Sequence, residues 1–372
     1  MLKVLKRRLV LFVSLVVVCV AAGCAHREEE VPPRILSRWL VSPELLQAGK
    51  LEIVWDDELP LKQGESLRDL RILGDRIYGL SDRNFLVSLD REKGTFIFGV
   101  PVARPGFAVL GLELYKNEVM TIIGDKLIEI NPDSGAEHGV KRLVFGAVCP
   151  PARNDWYYYF GGADRRMHTL RADDKVQVFE VAAHNDSMMT SIIADEDFVV
   201  FATDAGNVIS IRPDRPKRLW QFNAAGSIVG RIVRDGGSLF FASRDTNVYK
   251  ISIFTGKLVW KYPAGAVLDK APRVTRQVVY QRLGGEGLAA IDKRSGKSMW
   301  QLDEGVDLLA EADGKAYVIT NVGTLVVMDN KTAKRLYSVN FAGVSKYAAN
   351  VVDSKIYIGD KAGRIACLKP LE

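Results

Sequence analysis

A motif that recurs about every 40 residues is the feature that most constrains the fold of this 372-residue chain. The clearest copies are FTGKLVW at 254–260 and RSGKSMW at 294–300, each preceded by a strand-like stretch with an apolar anchor as its fourth residue. Successive anchors are 37 to 41 residues apart. The anchors are Leu89, Ile130, Leu170, Ile211, Ile251, Ile291, Met328 and Leu368. Self-similarity at this period predicts one supersecondary unit copied eight times.

Each copy contains four short stretches rich in β-branched and aromatic residues. In the fifth copy they are 228–233, SLFFAS, VYKISI and KLVWKY. Asn and Gly between the second and third stretches, as in DAGN and KAG, supply the positive φ angles of tight hairpins. Four antiparallel strands per repeat, arranged radially, predict an all-β protein, an eight-bladed β-propeller. The hydrophobic fraction of 48% is sufficient for a core of this size.

The eighth repeat leaves no room for its outer strand, because Glu372 is four residues after the anchor Leu368. The stretch LEIVWDD at 51–57 has β character and contains Trp55. We therefore predict that this N-terminal strand pairs with 364–368 and closes the ring, which removes an exposed sheet edge. The propeller is predicted to span residues 50–372.

An aromatic residue stands nine positions after most anchors, and Gly139 is the exception in the second copy. A ring there buries roughly 150–250 Å² against the neighbouring blade, and the glycine before it suits the turn between the third and fourth strands. A cofactor needs one special place, whereas this motif occurs in most repeats. We therefore interpret the aromatics as architectural. The aromatics interpreted in this way are Trp55 in the predicted closing strand and, nine positions after an anchor, Phe98, Phe179, Trp220, Trp260, Trp300 and Tyr337.

The first 23 residues are predicted to be a lipoprotein signal peptide. Four basic residues precede the apolar run at 9–22, which is shorter than the ~20 residues that span a bilayer. The sequence VAAGC resembles a bacterial lipobox, which implies acylation of Cys24. Ala25 follows, where Asp would resemble an inner-membrane retention signal, so an outer-membrane anchor on the periplasmic side is expected. An ordinary secretory signal is the alternative.

Residues 24–49 are predicted to be a lipid-anchored tether, with one short helical stretch at 43–48. The formal charge of +6 does not indicate nucleic-acid binding, because the basic signal segment accounts for most of the excess. Cys149 and Cys367 are expected to stay unlinked, since they fall in the third and eighth blades. Those blades are not neighbours, and a disulfide needs Cα atoms within about 7 Å.

The repeats resemble the PQQ-like β-propeller family, whose unit is close to A-x-D-x-x-T-G-K-x-x-W. ISIFTGKLVW and AIDKRSGKSMW are the best copies, while VMDNKTAKRLY and LDREKGTFIF are degenerate. The resemblance covers about residues 50–372 and implies the propeller fold. The family contains quinoprotein alcohol dehydrogenases as well as non-catalytic members, among them the BamB lipoproteins of outer-membrane protein assembly. Function therefore does not follow from the fold.

A quinoprotein dehydrogenase of this family would need a calcium site of side-chain oxygens, a catalytic Asp and a vicinal Cys-Cys pair. The chain has no Cys-Cys, and its acidic residues stand mostly in blade turns. No two histidines have the spacing of a metal site. We expect no catalytic residue, no metal and no cofactor, and quinone-dependent catalysis is the least favoured function.

The expected function is a non-enzymatic, lipid-anchored scaffold of the envelope, a monomeric propeller that binds a protein partner. The resemblance implies the outer-membrane β-barrel assembly machinery as that partner, and a ligand-binding or sensory propeller is the alternative. Loops of the third and fourth blades share one face and offer Arg and Met, which suit interfaces. Solvated turns, or methionines that pack inward, are the other interpretation. The candidate partner-binding residues are Asp164, Arg165, Arg166, His184, Asn185, Asp186 and Met188.

Overall fold

The computed structural model describes residues 38–371. Cys24, the predicted signal peptide at 1–23 and the tether up to residue 37 lie outside the described residues. The described fold begins with helix α1 (Pro43–Ala48) and strand β1 (Leu51–Glu58). None of the helices within 38–371 is both long and apolar enough to span a membrane.

Eight four-stranded antiparallel sheets follow one another along the described chain and form the blades of a propeller. The first blade contains β2 (Leu67–Leu73), β3 (Arg76–Ser81), β4 (Phe85–Asp90) and β5 (Phe96–Pro101). The second contains β6 (Val109–Tyr115), β7 (Glu118–Ile123), β8 (Lys126–Ile130) and β9 (Glu137–Arg142). The third contains β10 (Ala152–Arg153), β11 (Tyr157–Gly161), β12 (Arg166–Arg171) and β13 (Gln177–Ala182). The fourth contains β14 (Met189–Ala194), β15 (Val199–Thr203), β16 (Asn207–Ile211) and β17 (Arg218–Asn223).

The remaining blades continue the same order. The fifth contains β18 (Val233–Asp235), β19 (Ser238–Ala242), β20 (Asn247–Ser252) and β21 (Leu258–Pro263). The sixth contains β22 (Arg273–Val274), β23 (Val278–Arg282), β24 (Leu288–Asp292) and β25 (Ser298–Leu302). The seventh contains β26 (Gly305–Ala312), β27 (Lys315–Thr320), β28 (Thr324–Asp329) and β29 (Lys334–Asn340). The eighth contains β30 (Lys346–Ala348), β31 (Ile356–Gly359), β32 (Arg364–Pro370) and β1, and single 3-10 turns occur at His184–Asp186 and Gly284–Glu286.

The core lies between neighbouring blades. The middle strands β15 and β16 are buried at every position, because each blade is covered by a neighbour on both faces. The outer strand β13 instead alternates between exposed and half-buried residues. One apolar cluster, for example, joins Tyr280 of the sixth blade to Leu308 and Val318 of the seventh. This arrangement explains why the middle strands read as continuous apolar runs and the outer strands do not.

Outer-strand tryptophans connect one blade to the next. The ring of Trp220 lies 2.5 Å from where a Cβ of Gly256 would stand, and Gly256 has φ +66°. The indole Nε1 of Trp220 donates to the carbonyl oxygen of Ile253 at 2.9 Å. Trp260 and Gly296 repeat this contact between the next pair of blades. Glycine is required at these turns because the backbone is left-handed and the indole fills the space of a side chain.

The same contact closes the ring through the N-terminal strand. β1 pairs antiparallel with β32, from Leu51 opposite Pro370 to the end of both strands, as the sequence predicted. Trp55 in β1 packs on Gly94 of the first blade and donates its indole Nε1–H to the carbonyl oxygen of Arg91 at 3.2 Å. The first and last strands therefore share one blade, and β32 is paired on both sides.

The aromatic run at 156–160 divides between two blade interfaces, as strand alternation predicts. Tyr158 and Phe160 pack towards the second blade. Tyr159, with Tyr157 beside it, packs towards the fourth. Trp156 precedes the strand and is 68% exposed. Residues 157–160 are therefore core packing rather than a stacking platform, and Trp156 lies outside the core.

The last part of the predicted tether belongs to the propeller. The short helix expected at 43–48 is α1, and Val41 and Leu46 are buried in the same apolar cluster as Val339 of the seventh blade. Cys149 and Cys367 are buried and unlinked. Burial raises the pKa of the Cys149 thiol to about 11 and that of Cys367 to about 12.

Trp55→Ala should lower the free energy of unfolding by about 3 kcal/mol, because it removes a large ring from the blade junction that closes the propeller. Urea unfolding followed by tryptophan fluorescence and far-UV circular dichroism measures the change. Trp156→Ala is the matched control, and as an exposed substitution it should shift stability by less than about 0.5 kcal/mol. Equal effects of the two substitutions would contradict the closing role of Trp55.

Stability should fall at alkaline pH because burial raises the pKa of several tyrosines, to about 12 for Tyr78 and Tyr347. Above about pH 10 the unfolded chain releases these protons while the folded chain retains them. The stabilisation is complete below that pH and is lost as the pH rises through the folded-state pKa. Urea midpoints at about pH 8 and about pH 11, with tyrosinate absorbance, test this; equal midpoints would refute it.

Candidate partner-binding face

The loops between second and third strands and the links between blades share one face of the propeller. On this face, the loop at 162–165 and the link at 183–188 meet through an ion pair between Arg165 and Asp186 at 2.7 Å. The Arg165 and Asp186 side chains are 52% and 72% exposed. An exposed pair of this kind contributes little to stability. The structure thus brings together two of the predicted partner-binding residues on an accessible surface.

The other charged residues of the third-blade loop are held by neighbours. Asp164 accepts a hydrogen bond from the buried His168 ring, with both carboxylate oxygens 3.0 Å from Nε2. The Phe145 ring stacks on one face of the His168 ring, with 3.7 Å between the ring centroids and an interplanar angle of 7°. Arg166 forms an ion pair with Glu180 of β13. The loop is therefore fixed before any partner binds.

The link to the fourth blade is a tight turn rather than an extended loop. His184 begins the 3-10 turn, and Asn185 and Asp186 have positive φ angles of 58° and 48°. Met188 is half-buried, and its backbone N–H donates to Asp204 Oδ1 at 2.9 Å. Met189 is buried in the core between the third and fourth blades. Inward packing, the second interpretation of these methionines, thus holds for Met189 and in part for Met188.

The central channel carries ion pairs between different blades. Arg231 lies in the link to the fifth blade. Its Nη1 and Nη2 donate to Oε1 and Oε2 of Glu113 in the second blade, at 2.8 and 3.0 Å. Because those blades are three positions apart in a ring of eight, this pair crosses the channel. Arg273 bonds Asp307 in the same bidentate way. These pairs partly fill a cavity of about 390 Å³.

The channel does not fit a calcium–quinone centre. Calcium takes six to eight oxygen ligands, several of them carboxylates. Each of the channel carboxylates Asp69, Glu113 and Asp307 is instead bonded to an arginine. Among residues 38–371, no group of three or more His, Cys, Asp or Glu side chains could hold a metal ion.

A buried polar network replaces the aromatic contact between the second and third blades, and sequence reasoning did not identify it. Glu129 is 2% exposed and occupies the space that an aromatic ring at position 139 would fill. Its carboxylate accepts a hydrogen bond from the Tyr158 hydroxyl and forms an ion pair with Lys175 Nζ at 3.0 Å. Lys175 has φ +56° and stands at the turn position that is glycine in several other blades. In the sequence, the only sign that an ion pair replaces the aromatic contact here was Gly139 at the position of the aromatic residue.

The network continues outwards from the buried carboxylate. Arg153 contacts both the Tyr158 hydroxyl and Glu118. Glu118 in turn contacts His138 Nε2 at 2.9 Å. Burial is the main reason that the pKa of Tyr158 is raised well above its usual value. Glu129 is thus paired with Lys175 and Glu118 with Arg153, so each carboxylate of the network has a cationic partner.

Comparison with known proteins supports the fold. A family model described as outer membrane protein assembly factor BamB matches residues 204–311, from the fourth blade to the seventh. The crystal structure of BamB from Moraxella catarrhalis superposes with a TM-score of 0.66 at 14% identity, over 86% of this chain and 97% of that one. No curated protein matches the sequence. The chain is therefore an eight-bladed propeller that is similar to BamB in sequence over residues 204–311 and in fold over most of its length.

A second solved structure limits what this likeness means. The computationally designed Ika8 protein has a TM-score of 0.65 and 15% identity, over 84% of this chain and 98% of that one. A natural assembly factor and a designed protein thus match almost equally well. The likeness establishes the fold, whereas function depends on the particular residues at the surface of this chain.

Glu129→Gln should lower the free energy of unfolding by at least about 2 kcal/mol, because it leaves the Lys175 ammonium without its charged partner in a buried site. Glu137→Gln, an exposed change on the neighbouring strand, is the control and should be nearly silent. The double variant Glu129→Gln with Lys175→Gln should recover part of the loss. Urea unfolding measures all three, and a silent Glu129→Gln would show that the ion pair contributes nothing.

Proposed function

We propose that this chain is a non-catalytic, lipid-anchored scaffold of the cell envelope that holds a protein partner in outer-membrane protein assembly. The observation that carries the proposal is the match of the BamB family model to residues 204–311. The BamB-like course of the remaining blades is consistent with it. The partner we propose is the β-barrel assembly machinery of the outer membrane.

The absence of catalysis is part of the proposal. Arginines form ion pairs with the channel carboxylates that a calcium–quinone centre would use, which supports a non-enzymatic role. The lipobox-like VAAGC sequence supports anchoring through Cys24, and Ala25 supports the outer membrane as the address. We propose that the propeller acts as a monomer on the periplasmic side.

The proposed contact surface is the face that carries the loops of the third and fourth blades. Arg165 and Asp186 are accessible and paired only with each other among the described side chains, so a partner can exchange that pair for its own charges. Loops on a rigid scaffold are common places for binding residues. Asp164, Arg166, Asn185 and Met188 surround this pair on the same face.

A ligand-binding or sensory propeller is the second candidate. It is favoured by one observation, the central cavity of about 390 Å³ whose lining includes Arg71, Arg231, Arg273 and Tyr347. Three guanidinium groups around one cavity suit an anionic small molecule. In that case the anion would have to displace the carboxylates that now bond these arginines.

Affinity purification of the full acylated chain from detergent-solubilised envelopes, with mass spectrometry, separates the two candidates. The proposed function predicts recovery of the β-barrel assembly machinery. Arg165→Glu with Arg166→Glu should reduce that recovery by reversing charge on the proposed surface, and it should leave thermal stability nearly unchanged. Arg294→Glu with Lys297→Glu, in an exposed turn on the opposite face, is the matched control.

Equal recovery by both double variants would mean that the third- and fourth-blade loops are not the contact surface. Recovery of small anionic ligands without the assembly machinery would favour the second candidate and contradict the scaffold.

A further inference from the structure

Two large apolar side chains protrude from the proposed contact face beside the turn between the second and third strands of the second blade. Phe107 is 52% exposed and Val144 is 90% exposed. They belong to successive blade links and flank the second-blade turn at Gly124 and Asp125. The Phe107 ring lies within 3.8 Å of where a Cβ of Gly124 would stand, and Leu143 N–H donates to the Asp125 carbonyl oxygen at 2.7 Å. We call Phe107 and Val144 the apolar strip.

The apolar strip is held by buried groups. Asn84 is fully buried, and its Nδ2 donates to the carbonyl oxygens of Arg104 and Phe107 at 3.0 and 2.9 Å. Next to Val144, the Phe145 ring is stacked on His168. Both links are therefore ordered in the absence of a partner, which lowers the entropic cost of binding.

The surface beside Val144 is concave. A depression of about 620 Å³ borders it, with Leu143 and Phe145 among its lining residues and an ion pair between Asp125 and Arg142 at 2.7 Å along one side. Leu143 is buried, so the depression has an apolar floor and a polar side. The depression is shallow and open to solvent, and it has room for one apolar side chain of a partner.

Positive charge lies beside the apolar strip, and we call the three cations involved the basic rim. Arg104 and Lys126 are exposed and have no ion-pair partner in the part of the chain that the structure describes. Arg142 is 80% exposed and is paired only with Asp125. The basic rim is Arg104, Lys126 and Arg142.

The acidic groups close to the basic rim do not cancel it. Asp125 is paired with Arg142, and Asp82 accepts a hydrogen bond from the backbone of Ser66 at 3.0 Å. Towards the third blade, Asp164 is held by His168. Asp82, Asp125 and Asp164 are thus each bonded within the protein, Arg104 and Lys126 have no counter-charge among the described residues, and a partner with acidic residues would complete the charge.

We propose that the apolar strip and basic rim form a docking site for an acidic peptide segment of a protein partner, with one apolar side chain of that segment in the depression beside Val144. The proposal rests on the proposed function only in taking the occupant to be a protein. It places the apolar anchor of the contact on the first to third blades, beside the Arg165 region.

A lipid surface is the less suitable occupant. Binding at a membrane interface uses a continuous apolar face that inserts among the headgroups. Here Phe107 and Val144 protrude on either side of a polar turn, and the exposed valines Val229, Val267 and Val322 stand singly in other parts of the ring, so these side chains do not form one continuous apolar face. Charge alone would suit either occupant, so the distribution of the apolar side chains decides between them.

The test uses the full chain in nonionic detergent and a fluorescein-labelled synthetic peptide, EEDFEELEE, with binding followed by fluorescence anisotropy. Saturable binding that weakens as salt is added is expected, because the rim charges are exposed to screening. A peptide with Ala in place of Phe and Leu, and one with Lys in place of the acidic residues, should each bind at least about tenfold more weakly.

Variants of the protein locate the site. Phe107→Ser with Val144→Ser should weaken binding at least about tenfold, and Arg104→Glu with Lys126→Glu should do the same and flatten the salt dependence. Val322→Ser is the matched control, since Val322 is a 72% exposed valine on the same face in the seventh blade. Unchanged thermal melting of each variant shows that the fold is retained.

No saturable binding, or equal loss with Val322→Ser, would overturn the proposal. Phosphatidylglycerol added to the micelles should not displace the peptide, and displacement that requires Phe107 and Val144 would assign the surface to lipid instead. If peptide binding fails while partner recovery still depends on Arg165 and Arg166, the docking site is wrong and the scaffold function stands.

Discussion

The propeller depends on one contact repeated between its blades, in which an outer-strand aromatic ring covers a glycine turn of the next blade. Trp220 on Gly256 shows its two components, a buried apolar surface and a hydrogen bond from the indole to the backbone of the same turn. Because the ring occupies the place of a side chain, the turn and the aromatic must be matched across the interface. This requirement explains why glycine and the aromatic recur together at a constant spacing.

The aromatic ring covers a glycine at four junctions, through Trp55, Phe98, Trp220 and Trp260, and the junction between the second and third blades has a contact of a different kind. Between the second and third blades Glu129 and Lys175 take the places of the ring and the glycine, and the two substitutions compensate because the resulting charges bond each other. An ion pair in a buried site costs desolvation that apolar packing does not. The stability of this interface therefore depends on both partners being charged, unlike that of its neighbours.

The function proposed for this chain depends on the loops rather than on the blades. The channel, which could hold a ligand in a propeller, is crossed by the Arg231–Glu113 pair. The face that carries Arg165, Phe107 and Val144 instead combines exposed charge, exposed apolar surface and rigid backbone. These are the properties of a protein-binding surface, and they are compatible with the scaffold proposed here.

The sequence alone determined the number of blades, the closing strand at 51–57 and the architectural role of the aromatics, because each is a local pattern tied to a repeat of fixed length. The tertiary structure alone decided which loop residues meet. Arg165 and Asp186 pair, Met189 turns inward, and Phe107 and Val144 flank one turn across successive links. Such contacts join different blades, and the repeat fixes the order of the blades but not the path of the loops between them. The exchange at Glu129 was likewise hidden, since a buried carboxylate in a strand is recognisable only once its partners from the next blade are seen.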